Sequence, residues 1–235
     1  MTLARCPRRL TLPPSLNAAP SPASAARALL GAAALAALLA GCAGSVSPPA
    51  HLYQLRADPP ASLAAGAPAA GNVVWQLGRV QLPAYLDRDT LLVPTGQAGL
   101  QPLSGHRWAE PLRDAVPRLL RQDLARLLGP DKVWGQPLPP GVQLTGQLLV
   151  ELQRLDASAA GDAVVLQARW TLVDPAGKAA PVVTEAELRA AIVRDPGPAS
   201  GVAGAGTPAP ERLVNAHREV LWQLAQRIAA SAPPR

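Results

Sequence analysis

Apolar and polar positions alternate most cleanly in three stretches of the second half of the chain. In 142–152, Val142, Leu144, Leu148, Val150 and Leu152 share one face, while Gln143, Thr145, Gln147 and Glu151 share the other. In 164–173, Val164, Leu166, Ala168, Trp170 and Leu172 oppose Gln167, Arg169 and Thr171. In 183–192, Ala186, Leu188, Ala190 and Ile192 oppose Glu185, Glu187 and Arg189. A period of two predicts strands. Its clean alternation predicts an antiparallel sheet with one face buried and one in water. Asp174-Pro175-Ala176-Gly177 supplies a turn between the last two strands. Earlier, 52–56 alternates and reads as a first strand, 72–82 reads as a second, and 90–93 and 100–108 as two short arms. Between them, Leu82-Pro83-Ala84-Tyr85-Leu86-Asp87-Arg88 reads as a turn carrying an exposed aromatic.

Two segments change period. From Pro111 to Leu128, Leu112, Ala115, Val116, Leu119, Leu120, Leu124, Leu127 and Leu128 recur every three or four residues, the signature of an amphipathic helix. Arg113, Arg118, Arg121, Asp123 and Arg126 fall on the expected polar side. Gly129-Pro130 is a stop signal, and Pro117 should either kink this helix or mark its true start. From about Ala209 to Ala230, Leu213, Ala216, His217, Val220, Leu221, Leu224 and Ile228 line a second helix. Two amphipathic helices on one face of an antiparallel sheet make an α+β sandwich of two layers.

The N-terminal region follows another logic. An apolar run from Ala28 to Leu39 follows Arg27 and ends in Leu39-Ala40-Gly41-Cys42. The run is too short for a membrane span, which needs about 20 apolar residues. It has the form of a secretory signal, with a cysteine at the first mature position. That order resembles the lipobox of bacterial lipoproteins, in which the cysteine thiol is acylated and becomes the new N-terminus. The cysteine count agrees: Cys6 lies in the removed segment, so Cys42 has no disulfide partner in the mature chain. The expected layout is a signal peptide over 1–41, a tether over 42–50, one domain over 51–230 and a disordered tail over 231–235.

Charge then excludes one class. The chain carries a net +6, but four arginines (Arg5, Arg8, Arg9, Arg27) and no acids precede Cys42. The mature chain is therefore nearly balanced, and its basic residues are interleaved with acids, so no nucleic-acid partner is expected. Catalysis has little support. His51, His106 and His217 are scattered over a tether, a loop and a helix, without metal-ligand spacing. No Gly-x-Ser-x-Gly elbow occurs, and Gly201–Gly206 lacks the Lys and Ser/Thr of a phosphate loop. Asp87 and Asp89 flank Arg88 in what reads as a solvated turn. No cofactor or metal is expected. Tyr85, Leu86 and Arg88 are the candidate partner-binding residues, since an aromatic beside a proline on an exposed turn is a common interface anchor.

The order of landmarks resembles the ABC-type transport auxiliary lipoprotein component family (PqiC/YmbA-like). The carrying residues are Tyr53-Gln54-Leu55 soon after Cys42, then Leu82 to Arg88, then Trp108-Ala109-Glu110-Pro111-Leu112 opening the leucine-rich helix. The strand pair 148–155 and 164–170 and the closing helix from Arg212 to Ile228 complete the resemblance. It implies partners rather than a reaction: an ABC ATPase, a permease and an MCE-domain protein that move phospholipid or other hydrophobic molecules between inner and outer membranes. It also implies an acyl anchor on the periplasmic face of the outer membrane, since Ala43 replaces the aspartate that retains lipoproteins in the inner membrane of enteric bacteria. Self-association is a further possibility. A structural lipoprotein of another outer-membrane assembly machine, like the plug of the lipopolysaccharide export barrel, is the alternative.

Overall fold

A computed structural model describes residues 49–58, 73–193 and 209–232. The expected signal peptide, Cys42, most of the tether, Gly201–Gly206 and 233–235 lie outside the described residues. The element order is β1 (His51–Tyr53), β2 (Trp75–Gln81), a 3-10 turn (Ala84–Leu86), β3 (Thr90–Thr95), β4 (Gly99–Trp108), α1 (Leu112–Leu128), β5 (Val133–Trp134), β6 (Gly146–Ala157), β7 (Ala163–Val173), β8 (Val182–Ala191) and α2 (Pro210–Ala230).

The fold is α+β, with two helices packed against mixed, largely antiparallel sheets. The strands form a three-stranded sheet, β1-β4-β3, and a five-stranded sheet, β5-β2-β6-β7-β8. The three alternating stretches run antiparallel as expected, β6 against β7 and β7 against β8. Parallel pairings are added to this antiparallel framework. β2 runs parallel to both β5 and β6, and β1 runs parallel to β4. Parallel neighbours require a crossover connection, and α1 lies on the path from β2 to β5 and β6. Alternation reports which face is buried, not strand direction, so this pairing was hidden. The two-residue β5 was not expected at all. β6 starts at Gly146, leaving Val142 and Leu144 in the preceding loop.

Local chemistry explains the helix ends. Pro111 caps α1, Asp114 sits in its first turn and Arg126 in its last, which suits the helix dipole. Gly129, at φ 122°, takes the backbone out of the helix. Pro117 neither starts nor ends α1. It withholds one N–H from the carbonyl of Arg113, a residue on the exposed side where water can substitute. α2 opens with Pro210 at its first position, where a missing N–H costs nothing.

The core lies between the helices and the inner faces of the sheets. Leu119, Leu120 and Leu124 of α1, Leu213, Leu221, Leu224 and Ile228 of α2, and Leu148, Leu155 and Leu166 of the large sheet are fully buried. Trp75, Trp108, Trp170 and Trp222 add the large side chains that phenylalanine does not provide here. One bulge adjusts the pattern. Leu152 pairs with Ala168 and Arg154 with Gln167, so Gln153 is the extra residue. A bulge shifts the alternation by one, which turns Leu155 and Ala157 inward. It also sets Asp156 at the base of the Leu82–Arg88 loop.

Candidate functional site

The turn that sequence singled out is anchored from below. Tyr85 is half-buried. Its hydroxyl donates to Asp156 Oδ2 at 2.9 Å and accepts from the Leu155 N–H at 3.1 Å. Burial pushes the Tyr85 hydroxyl up to about 12 and the Asp156 contact adds to this, while the Leu155 N–H works the other way. Asp156 also accepts from Arg154 Nε at 2.8 Å. Leu86 is only 4 % exposed and packs in the core. The side chains the loop presents to water are therefore Asp87, Arg88 and Asp89.

Of these, Asp87 pairs with Arg113 of α1 and Asp89 with Arg107 of β4. The loop is thus tied on both sides, and Arg88 stays exposed without an ion pair among the described residues. Exposed pairs of this kind contribute little stability, about 0–1 kcal/mol each, but they restrict the loop before any partner arrives, which lowers the ordering cost of binding. A water-sized pocket of about 10 Å³ lies beneath, lined by Arg88, Trp108, Asp156 and His217 among others. His217 is fully buried, meets Trp108 edge-on at 5.5 Å and bonds the Leu213 carbonyl through Nδ1 at 2.8 Å. Burial holds it below the usual histidine range, so its ring is neutral at pH 7.

The other landmarks fasten the start of the domain. Leu55 is buried, and its carbonyl accepts from Arg118 Nη2 at 3.2 Å. Arg118 in turn pairs with Glu110. The Ala109 N–H donates to the Tyr53 carbonyl at 2.7 Å, closing the β1–β4 ladder just before α1. Tyr53 Oη lies 2.9 Å from His106 Nδ1 and donates to Glu211 Oε1 at 3.3 Å. Two histidines that were separate in sequence are brought together here: His51 in β1 and His106 in β4 stack at 5.1 Å. His217 lies elsewhere, against Trp108. Among the described residues no group of three or more His, Cys, Asp or Glu is placed to hold a metal ion.

One feature of the polar-face expectation is corrected. Asp123 is fully buried, not on the wet side of α1, and receives two hydrogen bonds from Arg218 of α2, at 2.8 and 2.9 Å. Arg218 lies 5.6 Å over the Trp222 ring and borders a cleft of about 400 Å³ with Gln54, Arg56, Asp58, Asn215 and Glu219. The spacing of Asp123 from Leu119, Leu120 and Leu127 already put it on the apolar side. Its charge masked that signal. Asp156, the partner of Tyr85, had no signal, because the bulge at Gln153 decides where it points.

A second cleft, about 420 Å³, opens at the large sheet between Arg79, Gln81, Leu149, Val150, Glu151, Arg169 and Thr171, so its lining mixes apolar and charged side chains. No described helix is long and apolar enough to cross a membrane.

The family model described as ABC-type transport auxiliary lipoprotein component matches residues 53–229. The chain belongs to this family, and is an auxiliary lipoprotein component of ABC-type transport systems. Membership implies a membrane lipid anchor, association with an ABC transport system and a non-catalytic role. No curated protein is similar enough to match. Among solved structures, the crystal structure of an uncharacterized protein shares 19 % identity over 79 % of this chain and 99 % of that one, with TM-score 0.57. Protein XCC0632 from Xanthomonas campestris shares 13 % identity over 76 % of this chain and 92 % of that one, with TM-score 0.50. Both speak for the fold alone. The PelC L103M dodecamer from Paraburkholderia phytofirmans is more distant, at 14 % identity over 71 % of this chain and 95 % of that one, with TM-score 0.33.

Proposed function

We propose that this protein is acylated at Cys42, anchored on the periplasmic face of the outer membrane, and docks an MCE-domain protein that works with an ABC permease and ATPase. The cargo is phospholipid or another hydrophobic molecule, and the role is to hold the outer-membrane end of the route. The observation that carries this reading is the family match, which spans the folded domain from β1 to the end of α2. The docking surface is the Leu82–Arg88 loop, with Arg88 as the exposed contact and Tyr85 and Leu86 fixing its shape.

Two experiments test it. Mass spectrometry of the native protein should find a chain beginning at an acylated Cys42, and Cys42→Ala should leave the protein unprocessed and unanchored. An uncut leader or a bare thiol at Cys42 refutes the anchor. Pull-down from detergent should recover the MCE-domain protein with wild type and lose it with Arg88→Glu. Undiminished recovery with Arg88→Glu removes the loop from the interface.

A further inference from the structure

The two edges of the large sheet differ. At one end β5 is only two residues long. At the other, β8 is ten residues long, pairs with β7 without a register break, and contains no proline. Folded proteins usually protect such an edge by shortening, bulging or covering it, because its free N–H and C=O groups are a template for another strand. Which groups have no ladder partner among the described residues follows from the register with β7. The Ile192 N–H donates to Asp162, so the even-numbered residues of β8 bond toward β7. In an antiparallel strand the odd-numbered ones then direct N–H and C=O outward. These are Val183, Glu185, Glu187, Arg189 and Ala191, whose side chains also lie on the exposed face of the sheet.

We propose that β8 pairs antiparallel with β8 of a second copy of this chain, about a two-fold axis at Leu188. This register sets Glu187 opposite the second copy's Arg189, twice by symmetry, with the outward backbone groups meeting as hydrogen-bonded pairs. It sets Val183 opposite Val193, again twice. These two are among the most exposed large apolar side chains described, at 57 % and 73 %. On the inner face Ala186 meets Ala190 and Leu188 meets its own copy, continuing the core face across the join. Sliding the strands by two residues one way sets Glu187 against Glu187, and the other way sets Arg189 against Arg189. Only the proposed register near the strand centre has no like charges directly opposed, an arrangement that destabilises a sheet. The Val193 carbonyl already accepts from Arg212 Nη1 at 3.0 Å, which marks the end of the ladder. An isologous two-fold contact of this kind closes on itself and does not propagate into fibres. It uses a different surface from the Leu82–Arg88 loop and does not depend on the identity of the transported molecule.

The test uses the full chain solubilised in detergent, with mass measured against concentration by density-matched sedimentation equilibrium. Wild type should form a two-copy unit. Glu187→Lys and Arg189→Glu should each weaken it at least about tenfold, since each places two like-charge pairs across the axis. The charge swap Glu187→Lys/Arg189→Glu should restore association to within about threefold. Circular dichroism should be unchanged throughout, because these side chains are exposed. Exchange of the Glu185, Glu187, Arg189 and Ala191 amides should slow as concentration rises. A monomer at every concentration, single variants that associate like wild type, or a swap that fails to restore would each overturn the proposal. So would edge amides protected equally in dilute monomer, which would assign the edge to the chain's own residues.

Discussion

Replacing Asp123 by leucine removes the two acceptors that face Arg218 and leaves a guanidinium in a site only 9 % exposed. The Arg218 Nε atom is already buried without a hydrogen-bond partner among the described residues. Stranding a buried charge in this way costs about 3–5 kcal/mol. A domain of ordinary stability has only about 5–15 kcal/mol in total, so Asp123→Leu should lower Tm by roughly 6–20 °C. The paired change Asp123→Leu/Arg218→Met should behave differently. It removes both charges and their desolvation cost, and should be neutral or stabilising by about 1–4 kcal/mol. The cost of burying the pair is visible in its ionisation. Burial pushes the Asp123 carboxyl up to about 6, against the opposing pull of Arg218, and burial also lowers the pKa of Arg218. A carboxyl whose folded value is raised contributes stability that is present below its unfolded value of about 4 and lost as pH rises through about 6. Relative to the double variant, wild type should therefore gain stability on acidification across that window. Urea unfolding of the three proteins between pH 4 and 7 measures all of this. A double variant as unstable as the single one would refute the reasoning, because it would mean that the ion pair itself, not the stranded charge, carries the energy.

Other perturbations have equally definite outcomes. Tyr85→Phe leaves the Leu155 N–H and Asp156 Oδ2 without their partner and should cost about 1–3 kcal/mol in urea unfolding; a change below about 0.5 kcal/mol would show that water replaces the hydroxyl. His217 is held neutral by burial, so its stabilisation is present above the unfolded histidine value of about 6.5 and lost as pH falls below it. His217→Leu should remove a dependence of up to about 1.4 kcal/mol per pH unit, read as the difference from wild type below pH 6.5. A Cβ on Gly146 would lie 3.0 Å from the Trp75 ring. Gly146→Ala should therefore cost about 1–3 kcal/mol through overpacking and shift Trp75 fluorescence; an unchanged spectrum and midpoint would show that the ring moves aside freely.

Much of the domain was legible before any coordinates. α1 and α2 follow the spacing of Leu119, Leu124, Leu221 and Ile228, because a helix that must bury one stripe writes that stripe into sequence. β6, β7 and β8 are legible for the same reason at period two. The landmarks that carry the family resemblance proved to be fasteners: Tyr53, Leu55, Ala109 and Glu110 tie β1 to the start of α1. Asp123 was misplaced because its charge outweighed its position in the apolar spacing. The Leu82–Arg88 turn was visible as a turn, while the inward packing of Leu86 was not.

What the sequence alone determined is therefore local: which residues form helices and strands, which face of each is buried, and the landmarks of its family. These are written by periodicities within one element. The tertiary structure alone decided the parallel pairing of β2 with β5 and β6, the meeting of Asp123 with Arg218, the capture of the Tyr85 hydroxyl by Asp156, and the place of β8 at the end of the sheet among the described residues. Each depends on contacts between elements distant in the chain, where a bulge at one residue or a crossover through one helix changes which groups meet, and a single sequence carries no periodic record of that choice.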